Sequence, residues 1–291
     1  MNFGQVLTAL VTPFKKDGNI DYEKTRELVE YLLSNGSDGF IVNGTTGESP
    51  TLSTSEKVEF IKFVKSVVGT RAPIIAGTGS NSTVESISLT KKVEELRVDG
   101  ILLVAPYYNK PSQRGMYKHF VSIAHETKLP IMLYNIPGRS VVNMGSELIV
   151  ELSKIDNIVS LKEAGTDLEQ TSEIIERTGD GFTVYSGNDS LTLPLLSVGA
   201  DGVVSVASHV IGNEMKQMIE SFFNGDVHTA AKIHRKILPI MTGLFTAPSP
   251  APVKAALKYK GLDVGDVRLP LVPLTNQERE TLIQLFKNIG M

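Results

Sequence analysis

Eight short segments of this chain are apolar almost from end to end: VLTALVTPF (6–14), GFIVNG (39–44), PIIAGTG (73–79), GILLVAP (100–106), PIMLYN (130–135), IVSLKEA (158–164), FTVYSG (182–187) and GVVSVAS (202–208). None alternates polar with apolar residues, which is the pattern of a strand covered on both faces. Between them lie amphipathic stretches such as DYEKTRELVEYLLSNG (21–36), STSEKVEFIKFVKSVVG (53–69) and STVESISLTKKVEELRVDG (82–100), each opening on a polar cap residue and closing near glycine. Strand and helix therefore take turns. Eight such units fit a (β/α)₈ barrel, which typically takes about 250 residues, with a doubly wound open sheet as the alternative.

After the eighth segment the pattern becomes helical, in NEMKQMIESFFNG, VHTAAKIHRKILPIMTGLF, APVKAALKYKG and NQERETLIQLFKNIG, interrupted by the proline-rich TAPSPAP at 246–252. We expect a catalytic barrel over residues 1–224 and a C-terminal helical extension over 225–291.

With 291 residues, 41% of them hydrophobic, the chain can bury a large core, which excludes a disordered or fibrous protein. A net charge of -3 offers no electrostatic reason for a nucleic acid or membrane partner, so a small molecule is the default. There is no cysteine, which excludes disulfides, thiolate metal sites and cysteine nucleophiles and fits the cytoplasm. The N-terminus reads as neither signal peptide nor anchor. The five histidines (119, 125, 209, 228 and 234) include no pair at metal-ligand spacing beside carboxylates, GTGSNS lacks the third glycine of a dinucleotide fingerprint, and no P-loop is present. Neither metal nor cofactor is expected.

In a barrel the active site is built where strands end. Here the exits are polar: Thr12, NGTTGES, GTGSNS, PYYNK, YNIPGR, Lys162 with Glu163, and SGND. A lysine at a strand exit can lay its stem over the core and keep its ammonium in water. Enclosed instead among apolar and hydroxyl groups, it loses its proton more easily and becomes an amine able to attack a carbonyl. Such chemistry needs proton carriers, and the hydroxyls of Tyr134, Tyr108 and Thr45 are available at the same rim. The GTTGE turn can be a simple glycine turn, or a nest of N–H groups and hydroxyls that holds a carboxylate. Arg139 is a candidate clamp for a second carboxylate. Glu163, next to Lys162 on a strand, should face the surrounding helices as a hydrogen-bond acceptor.

TALVTPF, GTTGESPTLS, PIIAGTGSN, PYYNKPSQ, LYNIPGRS, LKEA, YSGND and GVVSVASHV, in this order over essentially the whole chain, resemble the dihydrodipicolinate (4-hydroxy-tetrahydrodipicolinate) synthase family of class I pyruvate-dependent aldolases and lyases. The resemblance implies a cytoplasmic enzyme that joins pyruvate to L-aspartate 4-semialdehyde in lysine and diaminopimelate biosynthesis. Lys162 would form a Schiff base with pyruvate, Tyr134 would pass protons, and Thr45 with Tyr108 would complete the relay. Thr46 would bind the pyruvate carboxylate, the backbone of Val204 and Gly187 would line the pocket, and Arg139 would guide the semialdehyde. It also implies that Tyr107 reaches toward a neighbouring subunit in a homotetramer built as a dimer of dimers. Sugar-acid aldolases share GTTGE but generally lack YNIPGR together with PYYNK, and they are the runner-up; a non-catalytic ligand sensor or scaffold is a third reading. Lysine-sensitive members tend to carry histidines at the places of Thr54 and Lys57. Ser49, Asn81, Glu85 and Tyr107 match the effector site, but Lys57 brings a like charge to a cationic effector, so weak lysine inhibition is expected.

Overall fold

The computed structural model describes residues 2–290. Strands β1 (Val6–Ala9), β2 (Gly39–Val42), β3 (Ile74–Gly77), β4 (Gly100–Val104), β5 (Ile131–Asn135), β6 (Ile158–Glu163), β7 (Thr183–Ser186) and β8 (Gly202–Ser205) pair in parallel and in chain order, and β8 closes on β1. The chain is thus a (β/α)₈ barrel, as its alternation implies.

Two apolar cores explain why the strands are apolar on both faces. One fills the barrel with Leu7, Ala9, Ile41, Ile75, Leu102, Met132, Tyr134, Tyr185 and Val204. The other packs the outward residues, such as Phe40, Ile74, Ile101, Leu133 and Leu161, under the helices. The three helices anticipated by their caps run Tyr22–Leu33, Thr54–Val68 and Thr83–Glu94, and the side chains of Asp21, Ser53 and Ser82 accept amide hydrogen bonds at their starts. Ser53 and Glu56 form a reciprocal capping box.

The first strand is shorter than its apolar run. Ladder pairing ends at Ala9, and residues 10–14 cross the rim as a loop that touches Ile20 through one bridge at Phe14. At the opposite end of the barrel three aspartates, each preceding a strand glycine, take up strand amides on a neighbouring strand. Asp38 accepts from Gln5 and Val6, Asp99 from Ile74, and Asp201 from Val184. These bonds satisfy donors that the ladder leaves over at the barrel floor.

Helix Ser208–Phe223 completes the eighth unit, and helices Val227–Gly243, Ala251–Tyr259 and Asn276–Asn288 follow. Ile237, Ile240, Val253, Leu257, Leu282 and Phe286 of these last helices lie in the same outer core as the barrel's own residues.

Candidate active site

Lys162 stands on β6 in register with Tyr134 of β5 and Tyr185 of β7. Because strand side chains alternate, Ser160 and Lys162 face the barrel interior while Leu161 and Glu163 face the helices. Lys162 is only 6% exposed, so its ammonium does not reach bulk water. Its Nζ lies 4.0 Å from the centroid of the Tyr134 ring. Burial lowers the Lys162 pKa to about 7; the buried Asp189 carboxylate opposes that shift and the Arg139 charge adds to it. A neutral amine is therefore well populated near neutral pH.

Gly187, just past β7, gives the lysine room. A Cβ there would stand 2.7 Å from that of Ala164 and 3.1 Å from Cγ and Cε of Lys162. Val204 on β8 is 2% exposed and lies in the interior core with Tyr134 and Tyr185.

The Tyr134 hydroxyl is enclosed, and burial pushes its pKa up to about 12 against the pull of Arg139 and of the neighbouring Thr45 side chain. Thr45 belongs to the turn after β2, where Gly47 and Glu48 donate to the carbonyls of Gly44 and Thr45. Thr12 Oγ1 donates to the Gly47 carbonyl at 2.7 Å and ties the turn to the exit of β1. Thr45 is exposed at the rim and Thr46 is buried. Arg139, on the short helix Pro137–Ser140, shares with Thr45 and Tyr134 the wall of a cavity of about 220 Å³. That cavity runs on past Ser49, Lys57, Ser80 and Tyr107.

The two adjacent tyrosines are placed differently. Tyr107, expected to reach away, lines this chain's own cavity; Tyr108, expected at the relay, is 86% exposed and stands off its wall. The cause is a γ-turn closed by the Asn109 amide on the Tyr107 carbonyl at 2.9 Å, with Tyr108 at its centre at φ +72°. This left-handed form of the turn is strained for a residue with a side chain, and it swings Tyr108 outward.

Glu163 accepts from Asn135 Nδ2 at 2.9 Å and from the Gly165 amide, while Asn135 Oδ1 takes the Met144 amide. It is the outward-facing acceptor that strand alternation implies, and burial raises its pKa. Asp189 is the group to which no role was assigned from sequence. It is 2% exposed and accepts from Ser205 Oγ at 2.5 Å, Val206 N at 3.1 Å and Ala207 N at 3.0 Å. Burial raises its pKa, and these donors together with Lys162 pull it back. Its position in SGND, at a strand exit beside the lysine strand, was the available signal. Among the described residues no group of three or more histidines and carboxylates could hold a metal.

The arrangement is a buried amine of lowered pKa, a buried phenol beside it that shares its cavity with a threonine, and an arginine on the cavity wall. It suits covalent capture of a carbonyl compound bearing a carboxylate. Residues 2–289 match the model of the Dihydrodipicolinate synthetase family. The chain is 61% identical over 289 residues to 4-hydroxy-tetrahydrodipicolinate synthase 2 of Halalkalibacterium halodurans, covering 99% of both chains. It is 58% identical over 283 residues to the 4-hydroxy-tetrahydrodipicolinate synthase of Bacillus subtilis, covering 97% of this chain and 98% of that one. A crystal structure of a dihydrodipicolinate synthase from Bacillus anthracis superposes with a TM-score of 0.98 at 57% identity, covering 100% of each chain.

Proposed function

The chain belongs to the dihydrodipicolinate synthetase family, and from that premise we propose how its own residues carry the reaction. The enzyme is a lyase that condenses pyruvate with L-aspartate 4-semialdehyde to 4-hydroxy-tetrahydrodipicolinate, in lysine and diaminopimelate biosynthesis. The observation behind the residue assignment is the enclosed Lys162 amine, 4.0 Å from the Tyr134 ring.

The neutral Lys162 amine adds to the ketone carbon of pyruvate, and loss of water leaves an imine. Thr46 holds the substrate carboxylate, and the backbone at Gly187 and Val204 bounds the methyl and imine carbons. Tyr134, on the same cavity wall as Thr45, shuttles the protons that form and dehydrate the carbinolamine. Loss of a methyl proton turns the imine into an enamine, whose carbon attacks the aldehyde of the semialdehyde. The new C–C bond places that substrate's amino group against the imine carbon; its attack closes the ring and releases Lys162. Arg139 on the cavity wall orients the semialdehyde carboxylate.

Borohydride with pyruvate should trap one adduct, found on Lys162 by peptide mass spectrometry. Label elsewhere, or none, sinks the mechanism. Arg139→Ala should raise KM for the semialdehyde by about tenfold or more while pyruvate trapping persists, as expected when one charged contact to a carboxylate is lost. Equal loss in both would remove Arg139 from that role.

Tyr108 is proposed as the relay member that acts in the site of a second copy, in a homotetramer built from two dimers. Its outward side chain on a strained turn supports this. Residues 1–224 then act as the catalytic barrel and 225–291 as its helical extension, in the cytoplasm. No helix among the described residues is long and apolar enough to cross a membrane.

A further inference from the structure

Glu48 ends the turn that carries Thr45 and Thr46, and it does so at φ +55°, a backbone conformation that costs energy in any residue but glycine. Its side chain is fully buried. Glu48 Oε1 lies 2.7 Å from Lys254 Nζ, with the two side chains 0% and 3% exposed, and Oε2 accepts the Arg268 amide at 2.8 Å. Lys254 comes from helix Ala251–Tyr259 and Arg268 from the loop beyond it. Lys254 Nζ also donates to the Asp266 carbonyl at 2.9 Å. Both cations lie over Phe14, each 4.4 Å from its ring centroid, and Phe14 ends the loop that leaves β1. The Arg268 guanidinium further donates to the carbonyls of Gly18 and Thr51 and pairs with Glu56. The C-terminal helices thus grip the far end of the turn.

A buried ion pair is a poor source of stability, because desolvating two charges cancels most of their attraction; apolar residues of similar volume often do as well or better. What such a pair does supply is one orientation. We propose that Lys254 is a positioning residue for pyruvate capture: through Glu48 it holds the Thr45–Thr46 turn against Lys162, so that the C-terminal extension sets pyruvate affinity. The inference rests on the reading that Thr46 binds the pyruvate carboxylate and Thr45 serves Tyr134.

The test uses the full chain with Lys254→Met and with the double variant Glu48→Gln, Lys254→Met. Readouts are the two KM values, kcat, thermal midpoint, and borohydride trapping of pyruvate on Lys162. Lys254→Met leaves a buried carboxylate unpaired, so the turn shifts. KM for pyruvate should rise about tenfold, with KM for the semialdehyde and kcat within about threefold of wild type. The double variant removes the unpaired charge and keeps an acceptor for the Arg268 amide, so it should recover at least half of the lost pyruvate affinity on a logarithmic scale. A lowered thermal midpoint with both KM values unchanged, or an equal rise in both, overturns the proposal. If Lys254→Met does not fold, Lys254→Arg keeps the charge but changes its reach; a raised pyruvate KM supports the proposal and an unchanged one overturns it. A wild-type enzyme that fails to trap pyruvate on Lys162 would sink the site reading itself, and the inference with it.

Discussion

A lysine in water holds its proton until the pH nears about 10.4. Lys162, cut off from water inside the barrel, releases its proton near pH 7, because burial disfavours the charged form more than Asp189 supports it. Imine formation with pyruvate should therefore rise with pH through about 7 and then level off. Stopped-flow rates across pH 5.5 to 9 would check this, and a limb that keeps climbing at the alkaline end contradicts it. Arg139 also pushes the Lys162 pKa down, so Arg139→Met should move the limb to higher pH, apart from its effect on the semialdehyde. Tyr134→Phe removes the buried hydroxyl and keeps the ring beneath the ammonium. It should lower kcat by about 10²–10⁴-fold with little change in thermal midpoint, since the loss is that of a proton carrier.

Elements divide the labour between the two ends of the barrel. Strand exits carry the chemistry, and the floor carries aspartates that satisfy strand amides. Asp99 accepts from the Ile74 amide at 2.9 Å and pairs with Lys65. Asp99→Ala leaves that amide without its acceptor and should cost about 1–3 kcal/mol in denaturant titrations, with kcat and both KM values unchanged. A kinetic defect would mean that the floor communicates with the rim. The start of helix Thr54–Val68 is different, because it turns Lys57 into the cavity that Ser49, Ser80 and Tyr107 share with the site. Burial draws the Lys57 pKa down while Glu85 holds it up. A lysine effector would bring a second cation against it, so inhibition by lysine should be weak, and measurable inhibition at sub-millimolar lysine would refute this.

The molecule as a whole is closed by buried polar groups as well as by apolar packing. His209 takes the Val11 amide on Nε2 at 3.2 Å and gives its Nδ1 hydrogen to the Val206 carbonyl at 2.9 Å, joining the exits of β1 and β8. Burial holds its pKa near 4, against about 6.5 in the unfolded chain. Between those values the unfolded state binds the extra proton, so this contribution is complete above pH 6.5 and is lost as the pH falls toward 4. The stability advantage of wild type over His209→Gln should thus shrink between pH 7 and pH 5, measured by denaturant titration. Buried carboxyls such as Asp189 titrate in both proteins and cancel. An advantage independent of pH would show that the histidine is not neutral in the fold. The parallel barrel, the helix starts at Asp21, Ser53 and Ser82, and a lysine at the mouth were legible in the sequence, because strand period, caps and a lone charge ending an apolar run are local signals. The early end of β1, the outward turn of Tyr108, the carboxylate of Asp189 near Lys162 and the pairing of Glu48 with Lys254 were decided only by the tertiary structure. Each depends on which distant groups exclude water from one another and which backbone turn carries them there, and neither is written in any single stretch of residues.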